Sequence, residues 1–115
     1  AIAVTRILQC DSFVFDIAHN AQEVVRINNE LNDVDTTWLS NSKSLNADLV
    51  FANILAPVLI AECETIKDSI HETGLIVLSG MRDEQVQQVL LSYQDCEELV
   101  RESRDGWSAV TLRKL

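Results

Sequence analysis

Asp48-Leu49-Val50-Phe51-Ala52-Asn53-Ile54-Leu55-Ala56 is the stretch on which the reading of this chain turns. Four apolar residues run between Asp48 and Asn53 without polar alternation, the mark of a strand covered on both faces in a parallel sheet. Pro57 then suits the first turn of a helix whose Leu59, Cys63, Ile66 and Ile70 form an apolar stripe, ended by Gly74. Leu75 to Ser79 reads as the next strand. Upstream, Ser12 to Asp16 is a short apolar run ending in an acid, and Asn20 stands three residues before Glu23 like a capping box. Ala21, Val24, Val25, Asn28 and Leu31 continue on one helical face, and Asp35 to Leu39 can form a further strand. Before all of these, Ile2, Ala3, Ile7 and Leu8 have near-helical spacing.

Downstream, Val86, Val89, Leu90 and Tyr93 mark a helix from about Asp83. Glu97 to Ser103 and Trp107 to Leu112 flank Asp105-Gly106, a hairpin turn signal. Strands and helices that alternate and close in an antiparallel hairpin predict an α/β three-layer sandwich with a mostly parallel sheet. The order differs from a dinucleotide dehydrogenase built of two matching halves.

At 115 residues the chain has room for one core. Its apolar runs fall short of a membrane helix, and the chain reads as soluble and cytoplasmic, with no membrane partner. Cys10, Cys63 and Cys96 are odd in number and widely spaced, so they read as small core residues and no metal site is expected. A net charge of -9 argues against nucleic acid and suits a basic protein partner, although charge alone equally serves solubility.

Two stretches resemble a known family. Phe13-Val14-Phe15-Asp16-Ile17-Ala18-His19-Asn20-Ala21, followed by Asn28 and Asn32, looks like the second-strand motif of class I S-adenosylmethionine-dependent methyltransferases. Asp48 to Ala56 is similar to the D-x-V-x-A-N-I-L-A signature of the PrmA-type methyltransferases of ribosomal protein L-eleven. The likeness continues through Gly74-Leu75-Ile76-Val77-Leu78-Ser79-Gly80, Glu84-Gln85 and Gly106-Trp107, covering all 115 residues in one register. It implies a Rossmann-like sandwich and residues 1–115 as part of a catalytic domain. Family members carry a first strand and a G-x-G-x-G loop ahead of the helix that opens this chain. The chain is therefore expected to be a fragment whose first strand is missing, with sheet edges that would let copies associate. Ala18 and His19 replace the usual acid and proline, and Ser40-Asn41 stands where a Gly-Asp pair is common.

The resemblance also implies chemistry. Asp16 with Ile17, at the carboxyl end of a parallel strand, would bind the cofactor, the carboxylate accepting hydrogen bonds from both ribose hydroxyls of S-adenosylmethionine. A capping or solvated aspartate is the plainer alternative. Asn53, assigned to the cofactor and to catalysis, would orient the attacking amine together with the Ile54 carbonyl. The alternative is an asparagine that closes a turn or caps the helix at Pro57. Ile54 and Leu55 could wall the adenine or the substrate, with core packing as the default, and Trp107 could face the substrate, with a cover for the sheet as the default. The expected activity is amino-group methylation of a ribosomal protein. A noncatalytic interaction module and a different adenine-nucleotide enzyme are the competing readings. No triad, paired acids or metal motif favours a hydrolase.

Overall fold

In the computed structural model, which describes residues 1–15, 20–39 and 45–115, the chain forms two compact units, Ala1–Asn41 and Ser42–Leu115. The first unit contains α1 (Ile2–Leu8), β1 (Phe13–Val14), α2 (Ala21–Asn32) and β2 (Thr37–Trp38). β1 and β2 pair in parallel, Phe13 against Thr37 and Val14 against Trp38. The runs Ser12 to Asp16 and Asp35 to Leu39 thus contribute two strand residues each among the described positions. α2 ends at Asp33, whose left-handed backbone returns its N–H to the carbonyls of Asn29 and Glu30. The expected capping box does not form, because Asn20 makes no side-chain cap bond and Glu23 pairs with Arg26 at 2.6 Å. A charge-assisted carboxylate–guanidinium pair one turn away outcompetes a neutral backbone N–H.

The second unit holds β3 (Ala47–Asn53), α3 (Ala56–Ala61), α4 (Cys63–Asp68), β4 (Ile70–Arg82), α5 (Val86–Leu90), β5 (Cys96–Arg104) and β6 (Trp107–Lys114), with 3-10 turns on either side of α5. The strand order is β3-β4-β6-β5. β3 runs parallel to β4, while β4–β6 and β6–β5 are antiparallel. The sheet is therefore mixed, not mostly parallel: the terminal hairpin adds its antiparallel strands directly beside β4. The hairpin itself lies where Asp105-Gly106 places it, with Asp105 and Gly106 both at positive φ.

The single helix expected from Pro57 to Gly74 is two short ones, broken at Glu62, and the chain is already extended from Ile70. Ile70 keeps its buried position from the strand instead of the helix. Gly74 is not a helix cap; a Cβ there would lie 2.5 Å from the Ile70 side chain, so the glycine permits close packing. The core gathers Val50 and Ala52 of β3, Ile76, Leu78 and Met81 of β4, and Val110 and Leu112 of β6 against Leu59, Ile66, Val86, Val89 and Tyr93. Fully burying side chains of this size contributes roughly 1.5–3 kcal/mol each. Polar ties close the same face: Tyr93 donates its hydroxyl to the Leu59 carbonyl at 2.8 Å. Lys67 reaches Asp95 at 3.1 Å and Glu64 at 2.8 Å. Burial opposes the Lys67 charge, yet its two carboxylate partners hold the ammonium above the usual lysine range.

Of the cysteines, Cys63 and Cys96 pack against this core, whereas Cys10 is exposed, contrary to expectation. Among the described residues, no helix is long and apolar enough to cross a membrane.

Candidate functional site

Ligands of α/β sheets bind beyond the carboxyl ends of parallel strands. In the second unit that edge is where Asn53, the last residue of β3, lies beside Ser79 of β4. The Ile54 N–H still donates to the Ser79 carbonyl at 3.3 Å, so the chain leaves the sheet only after Ile54. Leu55 then caps α3 in extended conformation, with Pro57 in the first helical turn. Asn53 consequently neither caps that helix nor lies buried; it is exposed at the strand end.

β4 is irregular at the same level. Its pairing with β6 shifts between Leu78 and Met81, and Gly80 takes φ +86°. The bulge keeps Met81 in the core with Ile76 and Leu78. It also brings the β4 backbone against the β3 exit: a Cβ on Gly80 would lie 2.6 Å from the Ile54 oxygen and 2.9 Å from Asn53 Oδ1. Two requirements therefore fall on Gly80, a left-handed backbone and room for its neighbour.

Asn53, Ile54, Leu55, Gly80 and Trp107 line an open, mainly apolar cleft of about 490 Å³. Ile54 and Leu55 are exposed cleft residues, not the core residues expected of them, because the β3–α3 connection passes over the edge of the sheet. Trp107 likewise lines the cleft with about half its surface exposed. Its cross-strand partner Arg82 places a guanidinium 4.9 Å from the ring centroid. The adjoining turn is pinned by Asp83, which accepts hydrogen bonds from Ser103 at 2.7 Å and from Ser108. Those hydroxyls, Ser108 foremost, hold the Asp83 carboxyl below the usual carboxylate range.

The cleft thus combines one primary amide, an apolar wall and an indole at a strand-end edge. That set can receive a small polar group on an aliphatic stem and orient it by hydrogen bonding. Asn53 and Ile54 were the residues expected there. The sequence pattern assigns no role to Gly80 or Arg82 and reads Trp107 first as a cover for the sheet, because their convergence depends on a bulge and a hairpin register that no local pattern encodes. Asp16 and Ile17 lie outside the described residues, as do Ala18, His19 and Ser40-Asn41. Among the described residues no cluster of His, Cys, Asp or Glu could hold a metal ion.

Comparison with known proteins agrees with this picture. The family model described as Ribosomal protein L11 methyltransferase (PrmA) matches residues 1–115. Among curated relatives, the ribosomal protein L11 methyltransferase of Thermoanaerobacter pseudethanolicus is 30% identical over 108 residues, 89% of this chain and 35% of the relative. That of Brucella suis is 41% identical over 69 residues, 57% of this chain and 24% of the relative. The chain thus spans about a third or less of the length of these relatives. Among solved structures, a ribosomal protein L11 methylase from Lactobacillus delbrueckii subsp. bulgaricus superposes with TM-score 0.87 at 21% identity, covering all of this chain and 64% of that one. A methyltransferase from Pyrococcus furiosus gives 0.77 at 12% identity, covering 98% and 67%. The fold is the α/β fold of class I methyltransferases, with a mixed sheet.

Proposed function

The chain belongs to the ribosomal protein L11 methyltransferase (PrmA) family, and from that premise we propose that it is part of a protein N-methyltransferase domain. Its fold in this reading is a three-layer sandwich, its cofactor S-adenosylmethionine, and its substrate an amine of a basic large-subunit ribosomal protein, met in the cytoplasm. When bound, the cofactor supplies an electrophilic methyl group on a sulfonium. The observation that carries the reading is the cleft at the carboxyl edge of β3 and β4, lined by Asn53, Ile54, Leu55, Gly80 and Trp107. Its donor chemistry fits the methyl end of such a cofactor and an alkylamine: apolar walls, one amide, and no carboxylate among its lining residues that would hold the amine as an ammonium.

In-line transfer requires two reactants held in one geometry and a nitrogen with a free lone pair. Asn53 Oδ1 accepts a hydrogen bond from the amine N–H, and the Ile54 carbonyl offers a second acceptor. Together they turn the lone pair away from themselves. A lysine amine, with an ordinary pKa near ~10.4, must be deprotonated to react, and apolar walls favour the neutral form. Gly80 keeps the Asn53-Ile54 backbone close to β4, fixing the acceptors in place. Asp16, with Ile17, takes the ribose end by accepting hydrogen bonds from its two hydroxyls.

Calorimetric titration of the folded chain with S-adenosylhomocysteine, beside Asp16→Ala, tests the cofactor part. The expected result is saturable binding that the substitution weakens at least about tenfold, the loss that two ribose hydrogen bonds to a carboxylate entail. A cooperatively folded chain with no heat of binding would overturn it.

A further inference from the structure

Trp107 is the cleft residue furthest from Asn53 in sequence, and both of its chain neighbours are tied to one residue that does not line the cleft. The Asp83 N–H donates to the Gly106 carbonyl at 3.0 Å. On the other side of Trp107, Ser108 donates its hydroxyl to Asp83 Oδ1. Ser103, the partner of Ser108 across the hairpin, donates to the same oxygen at 2.7 Å. Asp83 thus joins the end of β4 to both strands of the hairpin.

Ser108 is only 5% exposed, so its hydroxyl needs a partner, and Asp83 supplies one. Side chains alternate along a strand, so holding Ser108 on the buried face holds Trp107 on the opposite one. The same short stretch of β4 reaches the other side of the cleft, where Gly80 packs against the Ile54 oxygen and Asn53 Oδ1. Residues 80–83 therefore fix the two polar acceptors at one end and the indole at the other. The Asp83 carboxylate also feels the Arg82 charge, but the two hydroxyls act on it more strongly. A large side chain left mobile at a cleft must be ordered by whatever binds there, at a cost to affinity.

We propose that Asp83 is a positioning residue of the cleft: as the acceptor shared by Ser103 and Ser108 it sets the place of Trp107 relative to Asn53 and Ile54. It touches no reacting atom. The inference rests on the reading of the cleft as a binding site only for what the placed wall receives, which there is the methyl end of the cofactor and the amine.

The test is the order parameter of Trp107 from nitrogen-15 relaxation, read without cofactor or substrate. The chain has two tryptophans, so Trp107→Phe assigns the indole resonance and Trp38 serves as an internal control. Asp83→Ala is expected to lower the order parameters of the Trp107 indole and of the Trp107 and Ser108 amides from about 0.85 to about 0.6, with the Ile76 and Leu78 amides unchanged. Asp83→Asn keeps a carbonyl oxygen for both hydroxyls and is expected to stay near the parent. The double variant Ser103→Ala, Ser108→Ala is expected to follow Asp83→Ala, and it carries the same reading if Asp83→Ala does not fold. An unchanged Trp107 in the variants that lose the two bonds overturns the proposal. So does a loss shared equally by Ile76 and Leu78, which would be general destabilisation. Mobility in Asp83→Asn equal to that in Asp83→Ala overturns it too, since attraction to Arg82 would then be what holds the turn. Because the readout needs no methyl transfer, its failure is separate from failure of the amine-site reading.

Discussion

Leu31 of α2 and Leu59 of α3 both stand on the apolar face of a helix that follows a strand, yet Leu31 is 77% exposed and Leu59 fully buried. The difference belongs to the units that hold them. In Ala1–Asn41 two strands of two residues pair with each other, and among the described residues of that unit Val34 alone is buried. In Ser42–Leu115 four strands present a continuous face on which α3, α4 and α5 pack. An amphipathic helix is stabilised by the surface it covers more than by its own propensity. Equal sequence patterns therefore yield a dense core in one unit and a thin one in the other.

The contrast breaks most readily at the core. Leu78→Ala should cost about 2–5 kcal/mol, whereas Leu31→Ala should stay within about 0.5 kcal/mol, as read by urea denaturation of the two variants. Comparable losses would mean that α2 is packed as firmly as the second unit. In the same sense, the Ile76 and Leu78 amides should exchange far more slowly than those of Val24 and Leu31.

Gly80→Ala comes next. A side chain at φ +86° and a Cβ 2.6 Å from the Ile54 oxygen should together cost about 1–3 kcal/mol. The substitution should also displace Asn53, visible as a shift of the Asn53 and Ile54 amide resonances. An unperturbed spectrum would mean that the contact is not tight.

Tyr93→Phe sharpens the comparison by removing one polar tie without emptying the core. Loss of the bond to the Leu59 carbonyl should cost about 1 kcal/mol in the same denaturation experiment. Burial, the largest influence, pushes the Tyr93 hydroxyl above its ordinary range, so it stays a donor at neutral pH.

The smallest effect concerns His71, where β4 begins. The Glu72 carbonyl and then Asp48, which accepts from Nε2 at 2.8 Å, raise its pKa above 6.5, with Lys114 opposing. A raised folded-state pKa gives stabilisation that is complete below 6.5 and lost as pH rises through the folded value. The melting temperature should therefore fall slightly more over that window than it does for His71→Gln. Parallel curves would remove the Asp48 clasp from the account.

The elements themselves were readable from local pattern: α1, α2, β3 and the terminal hairpin fall where spacing and turn residues put them. How much each would bury was not, because burial is decided by distant partners. The break at Glu62 and the early start of β4 show this at Ile70, which has a helical stripe position in sequence and a strand position in the fold. At the candidate site, Asn53-Ile54-Leu55 is contiguous and could be picked out. The approach of Gly80 and Trp107 depends on a bulge and on the register Arg82 to Trp107, both set by pairing far apart in sequence.

The most direct test of the account is transfer of tritiated methyl groups from S-adenosylmethionine to a lysine-rich large-subunit ribosomal protein, by the chain and by Asn53→Ala. Incorporation into amines is expected, falling about a hundredfold in the variant, the scale that follows when one positioned polar group is removed from a reacting centre. Incorporation that is absent from the folded, cofactor-saturated chain, or unchanged by Asn53→Ala, would contradict it.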